Sequence, residues 1–221
     1  MNLILIGAQG SGKGTQAKEL AKAFGVHHVS SGDLFRQAAE DGSEVGTQIK
    51  ALLDRGELVP DELTVKMVLS HISAPALVHD GVLLDGFPRT LAQAQALDDG
   101  LSREGRSIDC VVYLDVPRDI LVHRLSGRYI CKAHQHVYNI ESNPPKVAGK
   151  CDLDGSDLYQ RTDDQGPAVQ KRLDTFFNET IQLLDYYRQQ QKLRTVNGNQ
   201  GIDQVTANLV DSIRDCLPQK G

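Results

Sequence analysis

No run of apolar residues in the 221-residue chain approaches the roughly 18 needed to cross a bilayer, so a membrane-spanning role is not expected. Cysteine is scarce. The four residues at 110, 131, 151 and 216 are too few to staple a chain of this length, which points to a reducing compartment. An excess of positive charge is missing too. A net charge of -5 and an isoelectric point near 5.8 exclude a general nucleic-acid binder, so any clustered basic residues must serve a small anionic ligand. Internal repeats and low-complexity segments are absent, and the first residues enter a strand without a charged leader, so a cytoplasmic location is expected. Apolar content of 40% and charged content of 24% describe a globular protein with one substantial core plus an insertion.

The organising stretch runs from Asn2 to Thr15. Asn2-Leu3-Ile4-Leu5-Ile6 reads as a buried strand, a glycine-rich turn follows, and Gln16 to Phe24 reads as a helix with Ala17, Leu20, Ala21 and Phe24 on one face. Strand, loop and helix in that order are the context of a phosphate loop. Glycines 7, 10, 12 and 14 are expected to adopt positive φ and bring backbone N–H groups close to a polyphosphate. Lys13 adds a point charge, and the helix N-terminus points at the same spot. The usual hydroxyl directly after the lysine is replaced by Gly14. Thr15 is therefore expected to touch a phosphate, leaving magnesium to phosphate oxygens, water and a carboxylate from elsewhere.

Further along, His27 to Val29 is a short strand whose two histidines face opposite ways, which disfavours a metal there. Ser30 to Asp33 supplies N-cap chemistry for a helix, and a second helix covers about Ser43 to Arg55. A helix opened by Asp61 leads on to a buried strand from Gly81 to Gly86 containing Asp85. A helix over Thr90–Leu101, a strand over Cys110–Val116 and a helix over Arg118–Leu125 come next. From Gly127 to Asp164 the apolar periodicity fades into a hairpin-rich insertion, after which Pro167 opens a long helix to about Gln190. Leu193–Val196 is the last strand and Ile202–Leu217 the last helix. The expected fold is α/β: a doubly wound parallel sheet of the P-loop NTPase type, with ligands at the strands' C-terminal ends. Asp85 is placed there to hold magnesium, directly or through water, and Gly86 to Thr90 joins a candidate cis peptide to a projecting Arg89. Arginines 36, 124, 128, 161 and 172 lie near element ends or in the insertion, and their joint charge suits two polyphosphates brought together.

These residues closely resemble the adenylate kinase family in its long-lid bacterial form. The resemblance runs through Gly-Ser-Gly-Lys-Gly-Thr at 10–15, Ser-Gly-Asp-Leu-Phe-Arg at 31–36, Gly-Glu-Leu-Val-Pro-Asp-Glu at 56–62 and Leu-Leu-Asp-Gly-Phe-Pro-Arg-Thr at 83–90. Asn-Pro-Pro-Lys at 143–146, Arg-Thr-Asp-Asp at 161–164 and Lys-Arg-Leu at 171–173 extend it. It implies reversible transfer of a phosphoryl group from MgATP to AMP, giving two ADP, by a monomer. By that likeness Gly10, Ser11, Gly12, Lys13, Gly14 and Thr15 hold ATP, with Arg124 and Arg128 clamping it, Val137 and Tyr138 beside its base and Gln200 at the adenine. Ser31, Arg36, Glu57, Leu58, Val59, Gly86, Phe87, Pro88, Arg89 and Gln93 bind AMP, and Arg161 and Arg172 sit over the transferring group. Lys13, Asp85, Arg89, Arg124, Arg161 and Arg172 are the expected catalytic set. Gln9 and Ser31 depart from the proline and threonine usual in the family. The implied organisation is a core of 1–29, 61–126 and 165–221, an AMP-binding domain of 30–60 and a lid of 127–164. Other nucleoside monophosphate kinases, GTP:AMP or UMP/CMP, are the competing enzymes.

Within the insertion, Cys131-x-x-His134 and Cys151-x-x-Asp154, with 16 residues between the pairs, have the spacing of a zinc ribbon. Two thiolates, an imidazole and a carboxylate make a closed tetrahedral site, structural rather than catalytic. His136 or Asp152 is an alternative ligand, iron or cobalt an alternative metal, and a hydrogen-bonded polar cluster the alternative to any metal. A metal suits a unit of about forty residues, too small to bury a core of its own. A nucleic-acid ribbon is disfavoured, because Cys131 to Asp154 carries only Lys132, Lys146 and Lys150 as positive side chains.

Overall fold

The computed structural model describes residues 1–164 and 166–217, so of the expected core segment 165–221, Gln165 and residues 218–221 lie outside it. Strands β1 (Asn2–Ile6), β2 (His27–Ser30), β3 (Val82–Asp85) and β4 (Cys110–Asp115) and the later strand 193–197 form one parallel sheet, in the spatial order β2-β3-β1-β4 and then 193–197. The two faces of β1 show why the sheet is covered on both sides. Leu3 and Leu5 pack with Ala17, Leu20, Val205 and Leu209 on one face, while Ile4 and Ile6 pack with Val68, Leu97, Leu121 and Leu173 on the other. All four β1 side chains are almost fully buried, and each contributes roughly 1.5–3 kcal/mol of transfer free energy.

Helix α1 (Lys13–Phe24) follows the glycine-rich turn and begins three residues before the expected start. Helices α2 (Ser31–Glu40) and α3 (Glu44–Asp54) form an excursion with a small core of Phe35, Ile49 and Val59. Ser30 Oγ caps α2 by accepting from the Asp33 N–H at 3.2 Å. Helix α4 (Asp61–Ile72), the short and unanticipated α5 (Pro75–Asp80), α6 (Leu91–Arg103) and α7 (Arg118–Ser126) continue the winding. In the insertion, β5 (Arg128–Cys131) pairs antiparallel with β6 (Val137–Asn139) and β7 (Leu158–Tyr159) around a small core of Cys131, Tyr138 and Cys151, with Tyr129 and Leu158 partly buried against it. The chain then forms α8 (Gly166–Asn178), α9 (Leu183–Gln189), β8 (Leu193–Asn197) and α10 (Ile202–Cys216).

The single long helix expected from Pro167 to Gln190 is in fact two. A 3-10 turn at Thr180–Gln182, with Gln182 N–H bonding Glu179 O at 3.2 Å, separates α8 from α9. Buried positions Val169, Leu173, Phe176, Thr180, Leu183 and Tyr187 keep helical phase through the break, so periodicity does not reveal it.

Candidate functional site

The turn between β1 and α1 lies at the C-terminal edge of the sheet. Only Gly10 and Gly12 of its four glycines have positive φ, at 83° and 97°. Gly7 is needed for close approach instead: a Cβ there would meet Ser11 Oγ at 2.7 Å and Leu114 O at 3.1 Å. Gly14 has an ordinary helical conformation, and a Cβ on it would lie 3.9 Å from Asp85 Oδ2, which shows how close the β3 carboxylate stands to the start of α1. Lys13 folds back over the loop, its Nζ donating to Gly7 O at 2.6 Å and Ala8 O at 2.9 Å. Burial lowers the Lys13 pKa to about 8, against the opposing pull of Asp85. For Asp85 burial acts upward, but the His28 contact together with Lys13 and Arg89 outweighs it and the net shift is downward.

A cavity of about 1030 Å³ opens over this loop. It is lined by Gly10, Ser11, Gly12, Lys13, Gly14, Thr15, Asp85, Arg36, Arg89, Arg124, Arg128, Arg161 and Arg172, with Val137, Tyr138 and Gln200 at its walls. A smaller adjoining recess is lined by Glu57, Leu58, Val59, Gly86, Arg89 and Gln93. Of the expected residues, Ser31 and Phe87 are not in either lining. Ser31 is buried with its Oγ donating to Gly86 O at 2.7 Å, and Phe87 is 2% exposed within the core. The Phe87–Pro88 peptide is cis. Arg89 Nε also donates to Gly86 O, at 2.8 Å, and the Arg89 N–H donates to Gln93 Oε1 at 2.8 Å. Burial, then repulsion from Arg172, lowers the Arg89 pKa to about 10.

Several organising groups were not singled out by sequence reasoning. Asp164, whose side chain is fully buried, accepts from Arg128 Nε at 2.7 Å and from Arg172 Nη1 at 2.9 Å. Its only signal was its place at the end of the Arg-Thr-Asp-Asp stretch. Asp61, read simply as a helix opener, accepts from Gln93 Nε2 at 2.7 Å and Thr90 Oγ1 at 2.8 Å. His28 Nε2, buried and without a hydrogen-bond partner, stands 3.4 Å from Asp85 Oδ2. Gln135 reaches Arg161, its Oε1 accepting from Nη2 at 3.1 Å.

In the insertion the ligand atoms of Cys131, His136, Cys151 and Asp154 lie within 4.8 Å of one another, a donor set that fits zinc. The expected set has His134 in place of His136. His134 Nδ1 is 2.8 Å from Asp154 Oδ2 but its side chain is 67% exposed, outside the compact group. The reason is hairpin register: the Cys131 N–H donates to His136 O at 2.9 Å, placing His136 across from Cys131. In the protein alone the same groups hydrogen-bond, with Cys131 Sγ 3.1 Å from Asp154 Oδ2.

The sequence model of the family described as adenylate kinase matches residues 5–192. A protein named adenylate kinase from Listeria monocytogenes serotype 4a (strain HCC23) is 47% identical over 209 residues, covering 95% of this chain and 97% of the relative. Its namesake from Staphylococcus aureus (strain MW2) is 46% identical over 211 residues, 96% and 98% of the two chains. That from Carboxydothermus hydrogenoformans is 44% identical over 214 residues, 97% and 100%. With a phosphate loop on a parallel sheet, arginines gathered over it and a match across most of its length, the chain belongs to the adenylate kinase family.

Proposed function

We propose that the chain moves the terminal phosphoryl group of MgATP to AMP and runs the reverse reaction from two ADP. The observation that carries this reading is the convergence of Lys13, Arg36, Arg89, Arg124, Arg128, Arg161 and Arg172 on one cavity over the phosphate loop. The acceptor is a phosphate oxygen already ionised at neutral pH, so no strong general base is required. Positioning and charge stabilisation supply most of the rate. Gly10 to Thr15 and Lys13 grip ATP, with Arg124 and Arg128 closing on its phosphates. Arg36 and Arg89 hold the AMP phosphate, and Gln93 in the adjoining recess meets its base. Arg161 and Arg172 neutralise the charge that spreads over the moving group. Asp85 is the carboxylate that would hold the magnesium bound with ATP, directly or through water, and that ion would supply charge neutralisation. The excursion 30–60 and the insertion 127–164 act as covers that exclude water, the competing acceptor, from the core formed by the remaining segments.

In the insertion Cys131, Cys151 and Asp154 would hold a structural zinc with a loop histidine, and the grouping of His136 with these three supports it as the fourth ligand. A core of three buried residues gives the metal a stabilising task. The protein works as a cytoplasmic monomer. Purified protein given MgATP with AMP, UMP, CMP or GMP, and AMP with GTP, tests the reading. ADP is expected to form fastest from ATP plus AMP by at least about tenfold, a modest demand on a site that discriminates bases by hydrogen bonds. Equal or faster turnover with another pair overturns the assignment of substrate.

A further inference from the structure

We propose that Gln135 is a positioning residue that aims Arg161 at the transferring phosphoryl group. This rests on the role given above to Arg161. Gln135 has φ of 55°, a left-handed conformation that glycine adopts freely and residues with a Cβ disfavour. Its backbone N–H donates to Cys131 O at 3.1 Å, which closes the turn between β5 and β6. The strained turn delivers the side chain into the main cavity, where Gln135 and Arg161 both line the wall. There Oε1 accepts from Arg161 Nη2 at 3.1 Å, while Nε2 lies 3.4 Å from the Tyr159 hydroxyl of β7, the second contact that sets the amide's orientation.

The choice of an amide matters. Arg128 and Arg172 both bond to the Asp164 carboxylate, which steers them and offsets part of their charge. Among the described residues Arg161 has no carboxylate within ion-pair distance, and Gln135 is the hydrogen-bond partner of its guanidinium. Its Nε is buried without a partner. A neutral oxygen fixes the direction of the guanidinium and leaves its full charge for a ligand. Burial, then Arg36 and Arg128, lower the Arg161 pKa to about 10, so the group still carries its charge at pH 7. Without Gln135 the long side chain regains rotamer freedom, and freezing it becomes part of the activation barrier.

The test is a double-mutant cycle on the full chain with Q135G, Q135L and R161A, reading kcat, both KM values and thermal midpoint. Glycine relieves the backbone strain, so a purely structural role for Gln135 predicts an unchanged or higher midpoint with kcat intact. Positioning predicts that kcat falls about tenfold in Q135G, the scale of one hydrogen bond to a charged group, with both KM values within about threefold. Q135L keeps the strain and the size but has no acceptor, and is expected to lose kcat to the same extent. In the R161A background neither substitution should lower kcat further. Near-normal kcat in both Q135G and Q135L, or an equal loss with Arg161 absent, overturns the proposal. If R161A itself turns over normally, the role given to Arg161 falls first, a different failure from loss in R161A with Q135G unaffected.

Discussion

Arg172 Nη1 donates to Asp164 Oδ1 at 2.9 Å, which ties α8 to the last turn of the insertion through a carboxylate that has no exposed surface. Arg128 of β5 takes the other side of the same group, its Nε 2.7 Å from Oδ2. One acid thus sets the spacing of two arginines in the cavity. Replacing Asp164 by alanine leaves the largely buried Arg128 guanidinium without its carboxylate and Arg172 with Asp163 alone, and breaking a buried pair by removing one partner costs about 3–5 kcal/mol. D164A is expected to lose about 3 kcal/mol in urea unfolding and to lower kcat strongly. A loss under about 1 kcal/mol, the range of exposed pairs, contradicts this arrangement.

Arg89 and Arg161 both line the cavity over the phosphate loop; on the proposed role for them at the transferring group, alanine at either is expected to cut turnover by about 10³- to 10⁵-fold while the thermal midpoint stays within a few degrees. Steady-state rates beside calorimetry check both halves. Near-normal rates in both variants refute the catalytic assignment.

Lys13 is held by burial at about 8 against its ordinary 10.5. The sign follows from proton counting. Between pH 8 and 10.5 the unfolded chain binds this proton more than the folded one does, so this group's contribution to stability rises with pH across that window. Below pH 8 its destabilising effect is at its full, constant value. K13M should therefore stabilise the nucleotide-free protein by about 1 kcal/mol at pH 7, allowing for the loss of its hydrogen bonds to Gly7 O and Ala8 O, and flatten the rise. Phosphoryl transfer should collapse in the same variant. Urea unfolding of both proteins at pH 7 and 10 gives the comparison, and destabilisation of K13M at pH 7 contradicts it.

Metal removal should separate stability from chemistry. The protein is expected to carry about one zinc per chain, and a chelator should lower the thermal midpoint while the rate at low temperature survives. Because His136 groups with both cysteines and Asp154 whereas His134 is 67% exposed and reaches Asp154 alone with its ring, H136A should weaken zinc binding at least tenfold, the scale of lost metal-site groups, and H134A less. Elemental analysis and competition with a chromophoric chelator read this directly. The reverse order assigns the fourth position to His134, and absence of metal from protein prepared without chelator removes the site.

How much was readable beforehand divides along a physical line. The phosphate loop, the β3 carboxylate and the alternation of strands with helices are local patterns, and the parallel sheet β2-β3-β1-β4-β8 agrees with them. What spacing does not carry is partnership across space. Nothing along the chain links Asp164 to Arg128, 36 residues away, or Asp61 to Gln93, 32 residues away. The zinc-ribbon count of residues pointed to His134, whereas antiparallel register sets His136 opposite Cys131. The turn after Asn178 was invisible because its 3-10 geometry preserves the phase of the buried positions. Two of the four loop glycines, Gly7 and Gly14, lack positive φ, and of these Gly7 serves close approach, a distinction that only the neighbouring atoms decide.

The most direct measurement is a crystal structure with a bisubstrate mimic in which two adenosines are joined by a polyphosphate bridge. Lys13, Arg89, Arg161 and Arg172 are predicted to surround that bridge, with one adenine near Gln200 and the other near Gln93. A bridge bound away from those four cations, or guanidinium groups turned out of the cavity, contradicts the reading of this site.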